Sequence, residues 1–293
     1  PENIHFQTCV CSWLFGGSAT LCGSRCGSTW GWFGYWHLGS RNDYSVRRLQ
    51  RSTRGRMRAM NTEFVICDRA DDVTLKASEL IQKLCLSAIV AHGSASLAVS
   101  GGSTPQALFK LWQAETFPKL ESVRVFMSDE RLVSINSVDS NAGTMLRLWP
   151  DVGNAKLCLP NIDLPETEIA SEYQQSLIDT LGERPVFDCV MLGLGEDGHT
   201  ASLFPGKASL SDENLICVAD HGALPPPVKR LTLTYRCINM AENVVVIATG
   251  LKKRQWIEAI RNGVVDSESF PLSGVHPSGK LWFVLDRSAW PEA

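Results

Sequence analysis

The chain has 293 residues, of which 44% are hydrophobic, and a formal net charge of -3 at pH 7. A chain of this length can bury one substantial core, and α/β domains of roughly 200 to 250 residues are common, so one folded domain is expected. The lack of a basic excess argues against binding to a nucleic acid backbone, and the lack of any run of about 18 apolar residues argues against a membrane-spanning helix.

Residues 1–59 differ in composition from the rest of the chain. They contain eight arginines, no lysine and only two acidic residues, without sustained helical or strand periodicity. Three interpretations stay open: an organellar transit peptide, a metal site formed by the cysteines between Cys9 and Cys26, and a non-native or fragmentary leader before a start at Met57 or Met60. The third is favoured, because no amphipathic stretch or regular metal-binding repeat is present. We therefore predict an unstructured or non-native leader over 1–59 and a folded domain over 60–293.

The six cysteines of the second region are scattered singly, without the C-x-x-C spacing of a zinc site or a redox pair. Scattered cysteines are typical of a reducing compartment, where they act as small buried hydrophobic side chains. This pattern predicts a cytoplasmic protein that uses neither a disulfide framework nor a bound metal.

From residue 61 onward, strand and helix patterns alternate. The first helix is predicted from Asp71 to Gly93, because the apolar residues between Val73 and Ala91 form one stripe and glycine is a common C-cap. Periodicity predicts two later helices, over 169–181 and 251–262. Short apolar runs predict buried strands over 63–67, 96–99, 123–127, 187–192, 244–248 and 281–285. The alternation predicts a single α/β domain with a mainly parallel, Rossmann-like sheet, helices on both faces, and ligands beyond the carboxyl ends of the strands.

The segment S-G-G-S-T-P at 100–105 follows the strand predicted at 96–99 and precedes a helix predicted at 106–112. Thr104 can cap that helix, and Pro105 suits its first position. The glycines allow close approach of the backbone, and the free N–H groups, the helix dipole and the hydroxyls attract an anion. The segment is neither a P-loop nor a nucleophile elbow. An ordinary strand-to-helix turn is the alternative to an anion site formed by Ser100, Gly101, Gly102, Ser103 and Thr104.

The strand predicted at 123–127 is followed by Asp129, Glu130 and Arg131, and Asn141 comes soon after. Charged residues at the carboxyl end of a parallel strand lie on the ligand side of the sheet. Asp129, Arg131 and Asn141 are therefore candidates for ligand contact, with a solvated loop and a local ion pair as the alternative.

The segment G-L-G-E-D-G-H-T-A-S-L-F-P at 193–205 directly follows the strand predicted at 187–192. Its glycines match G-x-G-x-x-G, but Pro205 comes too early for the helix of a dinucleotide site, and no strand ends in an acidic residue about 20 residues on. The glycines instead indicate a sharp loop that presents Glu196, Asp197 and His199. A histidine in such a loop favours acid/base chemistry over a purely structural role.

In their order along the chain, these motifs resemble those of 6-phosphogluconolactonases. The resemblance also includes R-L-T-L-T at 230–234, G-x-x-K at 250–253 and a closing D-R-S-A at 286–289, so it spans about residues 63–289. The related glucosamine-6-phosphate deaminases share the fold and the phosphate loop but have an F-N-E-P element where this chain has T-A-S-L-F-P. The run P-L-S-G at 271–274 departs from the family's usual turn.

The resemblance implies hydrolysis of 6-phospho-D-glucono-1,5-lactone to 6-phosphogluconate in the oxidative pentose phosphate pathway, without metal or cofactor. An activated ester needs an oriented water, a base and donors for the developing oxyanion. His199 is expected to be the general base, oriented or charged by Asp197 or Glu196. Arg131 is expected near the sugar or the oxyanion.

The resemblance also implies that Arg230 and Lys253 join the loop at 100–104 in holding the phosphate. Two rival functions stay open: a deaminase or isomerase on the same fold, and a non-catalytic sugar-phosphate sensor. The missing F-N-E-P argues against the first, and the retained histidine argues against the second. His276 is the alternative base, whereas His92 and His221 do not closely follow a predicted strand.

Overall fold

The computed structural model describes residues 44–48, 61–220 and 227–291, all within one compact unit. The strands are β1 (Tyr44–Arg48), β2 (Thr62–Cys67), β3 (Ala95–Val99), β4 (Val123–Met127), β5 (Asp129–Arg131), β6 (Lys156–Cys158), β7 (Cys189–Gly193), β8 (Ile216–Ala219), β9 (Arg230–Leu233), β10 (Asn243–Ala248) and β11 (Lys280–Asp286). The helices are α1 (Ala70–His92), α2 (Ser103–Ala114), α3 (Asn141–Leu148), α4 (Glu166–Leu181), α5 (Tyr235–Ile238) and α6 (Arg254–Arg261).

The main sheet has eight strands in the order β1-β2-β11-β10-β7-β3-β4-β6, and all neighbours are parallel except β1 and β2. The predicted α/β class with a mainly parallel sheet is therefore confirmed. A second, antiparallel sheet in the order β5-β9-β8 was not predicted. Its strands are only three or four residues long, which is too short for a clear alternating pattern.

The main sheet is covered on both faces. Successive residues of a strand point to opposite faces, so Phe64 and Ile66 of β2 belong to one core, and Val65 and Cys67 belong to the other. The first core also contains side chains of α4, α5, α6 and the small sheet, and the second contains those of α1, α2 and α3. Within the described residues, no helix combines the length and apolar character needed to cross a bilayer.

Element boundaries agree closely where the sequence pattern is local. The strand at 123–127 is as predicted, and α1 ends at Gly93, whose φ of 86° is a left-handed C-cap. The strand predicted at 187–192 is displaced to Cys189–Gly193, and before it the Phe187 carbonyl accepts from Glu242 N. The helix predicted at 251–262 is divided into a 3-10 turn, Leu251–Lys253, and α6.

The topology fixes where a ligand can bind. From β3 the chain proceeds to β4 on one side of the sheet, and from β7 it proceeds to β10 on the other side, while β3 and β7 are neighbours. The carboxyl ends of two such strands leave a crevice at the point where the strand order reverses. The loops that follow β3 and β7 therefore face each other across this crevice.

One part of the predicted leader is structured. Tyr44–Arg48 forms the edge strand β1, whose Tyr44 pairs with Cys67, so the sheet begins before residue 60. Lys76 Nζ lies 4.4 Å from the centre of the Tyr44 ring, and Arg47 lies 5.9 Å from that of Trp290. The run Y-S-V-R-R has only five residues and gives no clear periodicity, which explains why no strand was predicted. The cysteines between Cys9 and Cys26 lie outside the described residues.

We expect a chain that begins at Met60 to fold, but with a lower melting temperature than a chain that begins at Asn42. The shorter chain lacks β1, while β2 keeps its parallel pairing with β11. Loss of about 1 kcal/mol shifts the melting temperature of a domain of this size by roughly 2 to 4 °C. Thermal denaturation of the two chains measures the difference. A shorter chain that fails to fold would make β1 an integral part of the domain, and equal melting temperatures would leave β1 without a stabilising role.

Candidate active site

A cleft of about 350 Å³ opens at the carboxyl ends of the central strands. Twelve of the thirteen predicted site residues line it, from six separate stretches of the chain. They are Ser100, Gly101, Gly102, Ser103, Thr104, Asp129, Arg131, Asn141, Glu196, His199, Arg230 and Lys253. The thirteenth residue, Asp197, does not line the cleft but is hydrogen bonded to His199, which does.

His199 and Asp197 form a hydrogen-bonded pair. The Nδ1 of His199 lies 2.5 Å from Oδ1 of Asp197, and the His199 backbone N–H donates to the same oxygen at 3.2 Å. Burial by itself would raise the pKa of Asp197, but the hydrogen bond and charge of His199 hold that pKa below its ordinary value. An ionised Asp197 keeps the ring proton on Nδ1, so Nε2 can accept a proton. The pair therefore has the form of a general base with an orienting carboxylate.

Glycines leave the space that this pair occupies. A Cβ at Gly195 would lie 2.0 Å from Nδ1 of His199 and 2.6 Å from Oδ1 of Asp197. Gly198 has a φ of 84°, and a Cβ there would lie 2.8 Å from the ring of Phe270. The ring of His199 packs on Phe204, with 4.6 Å between ring centroids. Both Gly195 and Phe204 of this loop therefore pack against the imidazole.

Glu196, the other carboxylate predicted to act on His199, does not contact the imidazole. Its side chain pairs with Lys252 at 2.9 Å, and its backbone carbonyl accepts from Nε1 of Trp256 at 3.0 Å. Both side chains of the ion pair are largely exposed. Between the two alternatives left open by the sequence, the geometry selects Asp197 as the partner of the imidazole.

The loop after β3 leads into α2 earlier than predicted. The helix begins at Ser103 rather than at 106, because Gly102 takes a φ of 106°, which glycine readily adopts, and forms the N-cap. Thr104 and Pro105 therefore lie inside the first turn instead of capping it. The first N–H groups of a helix have no acceptor within the helix, so those of Ser103 and Thr104 can donate to an anion in the cleft.

Ser100 lines the cleft, but its hydroxyl is already engaged. It donates to the carbonyl oxygen of Met191 at 2.7 Å and lies 2.7 Å from the hydroxyl of Ser128. Because a hydroxyl has one proton, Ser100 cannot donate to an anion while it holds this bond. Ser100 links the ends of β3, β4 and β7, which leaves Ser103 and Thr104 as the hydroxyls of this loop that can bind an anion.

Two arginines lie side by side in the cleft. Arg131 of β5 is the register partner of Arg230 of β9, so two like charges face each other across the small sheet. The Nε atom of each is buried without a hydrogen-bond partner among the described residues. Burial and the neighbouring Arg131 lower the pKa of Arg230, and Asp129 opposes that shift. Paired guanidinium groups with unused donors are the side chains expected around a phosphate or carboxylate.

Lys253 adds a third cation to the cleft. Burial lowers its pKa, while the carboxylates of Glu196 and Asp197 act in the opposite direction. Thr249, which directly follows β10, also lines the cleft and was not predicted. The rule that ligands bind beyond the carboxyl ends of strands identifies this position as well, because a strand was predicted to end at Ala248.

Asp129 and Asn141 also line the cleft, together with the two arginines. The Asp129 carboxylate accepts from the hydroxyl of Ser202 at 2.8 Å, and the Asn141 amide donates to the backbone oxygen of Asp129 at 2.9 Å. Both residues are almost fully buried. Their bonds to protein atoms suit residues that shape the site as well as contact a ligand.

The other candidate histidines are not at the cleft. His92 is bonded to Asp188, which lies just before β7 at the opposite end of the strands, and His276 precedes β11 at that same end. His221 lies outside the described residues. Among the residues that the structure describes, no group of three or more His, Cys, Asp or Glu side chains is arranged to hold a metal ion.

Known proteins share both the sequence pattern and the fold. A family described as glucosamine-6-phosphate isomerases/6-phosphogluconolactonase matches residues 68–283. A 6-phosphogluconolactonase of Synechocystis sp. is 32% identical over 243 residues, which cover 74% of this chain and 95% of that protein. Another from Nostoc sp. is 33% identical over 226 residues, covering 74% of this chain and 92% of that protein.

A solved structure leads to the same group of proteins. The 6-phosphogluconolactonase of Trypanosoma brucei superposes with a TM-score of 0.70 at 26% identity, over 77% of this chain and 96% of its own. Residues 68–283, which match the family, include the residues that line the cleft, the His199–Asp197 pair and the three cations. The chain therefore belongs to the glucosamine-6-phosphate isomerase/6-phosphogluconolactonase family.

Proposed function

We propose that this chain hydrolyses 6-phospho-D-glucono-1,5-lactone to 6-phosphogluconate, the lactone step of the oxidative pentose phosphate pathway. The observation that carries the proposal is that the His199–Asp197 pair and a cluster of three cations line one cleft of about 350 Å³. A base and an anion site in one cleft of this size suit a small substrate with a reactive carbonyl and a phosphate. The 6-phosphogluconolactonases among its relatives support this choice.

In the proposed reaction, Nε2 of His199 takes a proton from a water molecule, and the resulting hydroxide attacks C1 of the lactone. Arg131 stabilises the oxyanion that develops on the carbonyl oxygen. The bond between C1 and the ring oxygen then breaks, and the departing oxygen takes the proton from His199. The new carboxylic acid ionises in water, so atoms and charge balance.

The phosphate is assigned to the other two cations of the cleft and to the loop after β3. Arg230 and Lys253 supply positive charge, and Ser103 and Thr104 supply hydroxyl and first-turn N–H donors. Their several donors match a group with three terminal oxygens and about two negative charges. The reaction then needs only positioning, a base and donors, because the lactone is already an activated ester.

Replacement of Lys253 with Ala should raise the KM for the phosphorylated lactone by roughly 10- to 150-fold. One charge-assisted contact in a partly desolvated site is worth about 1.5 to 3 kcal/mol. The matched control is Lys252→Ala, which removes the same charge from an exposed neighbour that pairs with Glu196. Initial rates at varied substrate concentration give both constants. An unchanged KM in Lys253→Ala, or equal effects of the two variants, would remove Lys253 from the phosphate site.

The function is tested by acid release from freshly generated 6-phosphogluconolactone, measured beside ammonia release from glucosamine 6-phosphate. We expect acid release above the spontaneous rate and no ammonia. Ammonia release would instead identify a deaminase, and binding of 6-phosphogluconate without either activity would identify a sensor.

We place the enzyme in the cytoplasm. The six cysteines of the described residues are buried free thiols, namely Cys67, Cys85, Cys158, Cys189, Cys217 and Cys237. Their burial raises the pKa of groups such as the Cys237 thiol, to about 12, which keeps them protonated and unreactive. Buried single thiols suit a reducing compartment.

A further inference from the structure

Glu130 lies between two residues of the cleft but faces away from it. Asp129 and Arg131 line the cleft, and the side chain of Glu130, which alternates with them along β5, points to the other face of the strand. Only 2% of this residue is exposed. A buried carboxylate on the reverse face of a catalytic strand requires a physical reason, since its desolvation is costly.

Four donors satisfy this carboxylate. Oε1 accepts from the backbone N–H groups of Arg131 and Asn141, each at 2.7 Å. Oε2 accepts from the backbone N–H of Ala142 at 2.7 Å and from the hydroxyl of Ser140 at 3.1 Å. Burial raises the pKa of Glu130, and the three backbone hydrogen bonds oppose that shift. All the partners are donors, so the ionised form fits this pocket.

These bonds connect Glu130 to the first turn of α3. Asn141 and Ala142 are the first two residues of that helix, where a negative charge is favoured by the free N–H groups and the helix dipole. Ser140 caps the same helix by accepting from Gly143 N at 2.9 Å. Glu130 therefore fixes the start of α3 against β5.

The start of α3 in turn shapes the cleft. Asn141 donates to the backbone of Asp129, and a Cβ at Gly101 would lie 1.9 Å from Oδ1 of Asn141, so the loop after β3 packs directly on this amide. Arg131 donates from Nη1 to the carbonyl of Asp139 at 2.8 Å, immediately before the N-cap of α3. Any displacement of α3 would move an amide and a guanidinium that line the cleft, together with the adjoining loop.

We infer that Glu130 is a positioning residue for the active site, which sets the placement of Arg131, Asn141 and the loop at 100–104 without touching the substrate. This inference rests on the proposed function, because the affected steps are binding of the phosphorylated lactone and stabilisation of its oxyanion by Arg131. His199 lies on the loop after β7 and has no bond to Glu130 or α3 among the described contacts. Glu130 should therefore affect substrate binding much more than base catalysis.

Glu130→Gln tests this placement. The substitution replaces one of the two carboxylate oxygens with an NH2 group. The two donors that this oxygen accepted from then have no acceptor, and they face another donor, the NH2 group itself. We expect the KM for the lactone to rise about tenfold or more, through Asn141 and the loop at 100–104, and kcat per folded molecule to fall as well, through the displaced Arg131. The dependence of kcat on pH should not change, because His199 has no bond to Glu130 or α3 among the described residues. Glu130→Asp keeps the charge but shortens the side chain by one methylene, so it should raise KM by a smaller factor. This variant provides the test if the Gln variant does not fold.

Asp188→Asn is the matched control. Asp188 accepts from the backbone N–H and hydroxyl of Ser96, each at 2.7 Å, and pairs with His92, but it lies at the opposite end of the strands. It should lower the melting temperature, as Glu130→Gln does, while its KM stays within about twofold of wild type. A Glu130 variant with an unchanged KM, and with activity reduced only in proportion to the folded fraction, would overturn the inference.

A double variant tests the route through Asn141. If Glu130 acts through that amide, Glu130→Gln combined with Asn141→Ala should raise KM by less than the product of the two single effects. A rise in KM equal to the product of the two single effects would overturn this route.

The affinity for 6-phosphogluconate, measured by titration calorimetry, provides a test that does not need turnover. We expect the variants that raise KM to weaken this affinity in the same order. A wild-type chain that binds 6-phosphogluconate without hydrolysing the lactone would refute the proposed function alone, whereas one that does neither would refute both.

Discussion

His199→Asn should lower kcat by about 10²- to 10⁴-fold, the usual contribution of a positioned general base. Asparagine can keep a polar atom near Asp197, but it has no nitrogen that accepts a proton near neutral pH. The KM for the lactone should change little, because the cations assigned to the phosphate, Arg230 and Lys253, are unchanged. Folding should be preserved as well, since among the described residues the hydrogen bond and the ring contact of the imidazole are both made within its own loop, with Asp197 and Phe204. Steady-state rates of acid release give both constants.

The spontaneous hydrolysis of the lactone must be subtracted from each rate, because the substrate is an activated ester. His276→Asn is the control, since it removes a histidine that does not line the cleft. A folded His199→Asn enzyme that kept more than roughly a third of the wild-type kcat would refute the assignment of His199, because loss of a working base cannot be so mild.

Asp197→Asn should lower kcat by a comparable factor, about 10²- to 10⁴-fold, although it leaves the imidazole in place. The amide can present an N–H to Nδ1, which makes Nδ1 the acceptor and moves the ring proton to Nε2. A protonated Nε2 cannot take a proton from water, and the same change of tautomer in a Ser-His-Asp triad costs about 10⁴-fold in kcat. Removal of the carboxylate also withdraws the charge that stabilises the imidazolium after proton transfer.

Glu196→Gln is the matched control for this prediction, because it neutralises the adjacent carboxylate in the same loop. It breaks only an exposed ion pair with Lys252, and such pairs contribute little. Its kcat should stay within about threefold of wild type. Equal losses in the two variants would mean that the total charge of the loop matters rather than the contact of Asp197 with the ring.

The sequence by itself determined the fold class, most of the strands and helices, and twelve of the residues that line the cleft. Each of these rests on a local pattern. An apolar stripe defined α1, short apolar runs defined the parallel strands, and glycine-bounded loops directly after strands identified 100–104 and 193–205. Because parallel strands share one carboxyl edge, local patterns at separate positions were enough to place those loops at the same crevice.

Only the tertiary structure decided which of these residues contact each other. Asp197 rather than Glu196 meets His199 because of the turn that Gly195 and Gly198 allow, and the hydroxyl of Ser100 is used by Met191 on a neighbouring strand. Arg131 faces Arg230 through a register between strands about a hundred residues apart in sequence. Such contacts depend on how distant segments pack, and packing distances are not encoded in the spacing of residues along one segment. For the same reason the sequence did not reveal the positioning role inferred for Glu130, because its four hydrogen-bond partners are brought together only when α3 folds against β5.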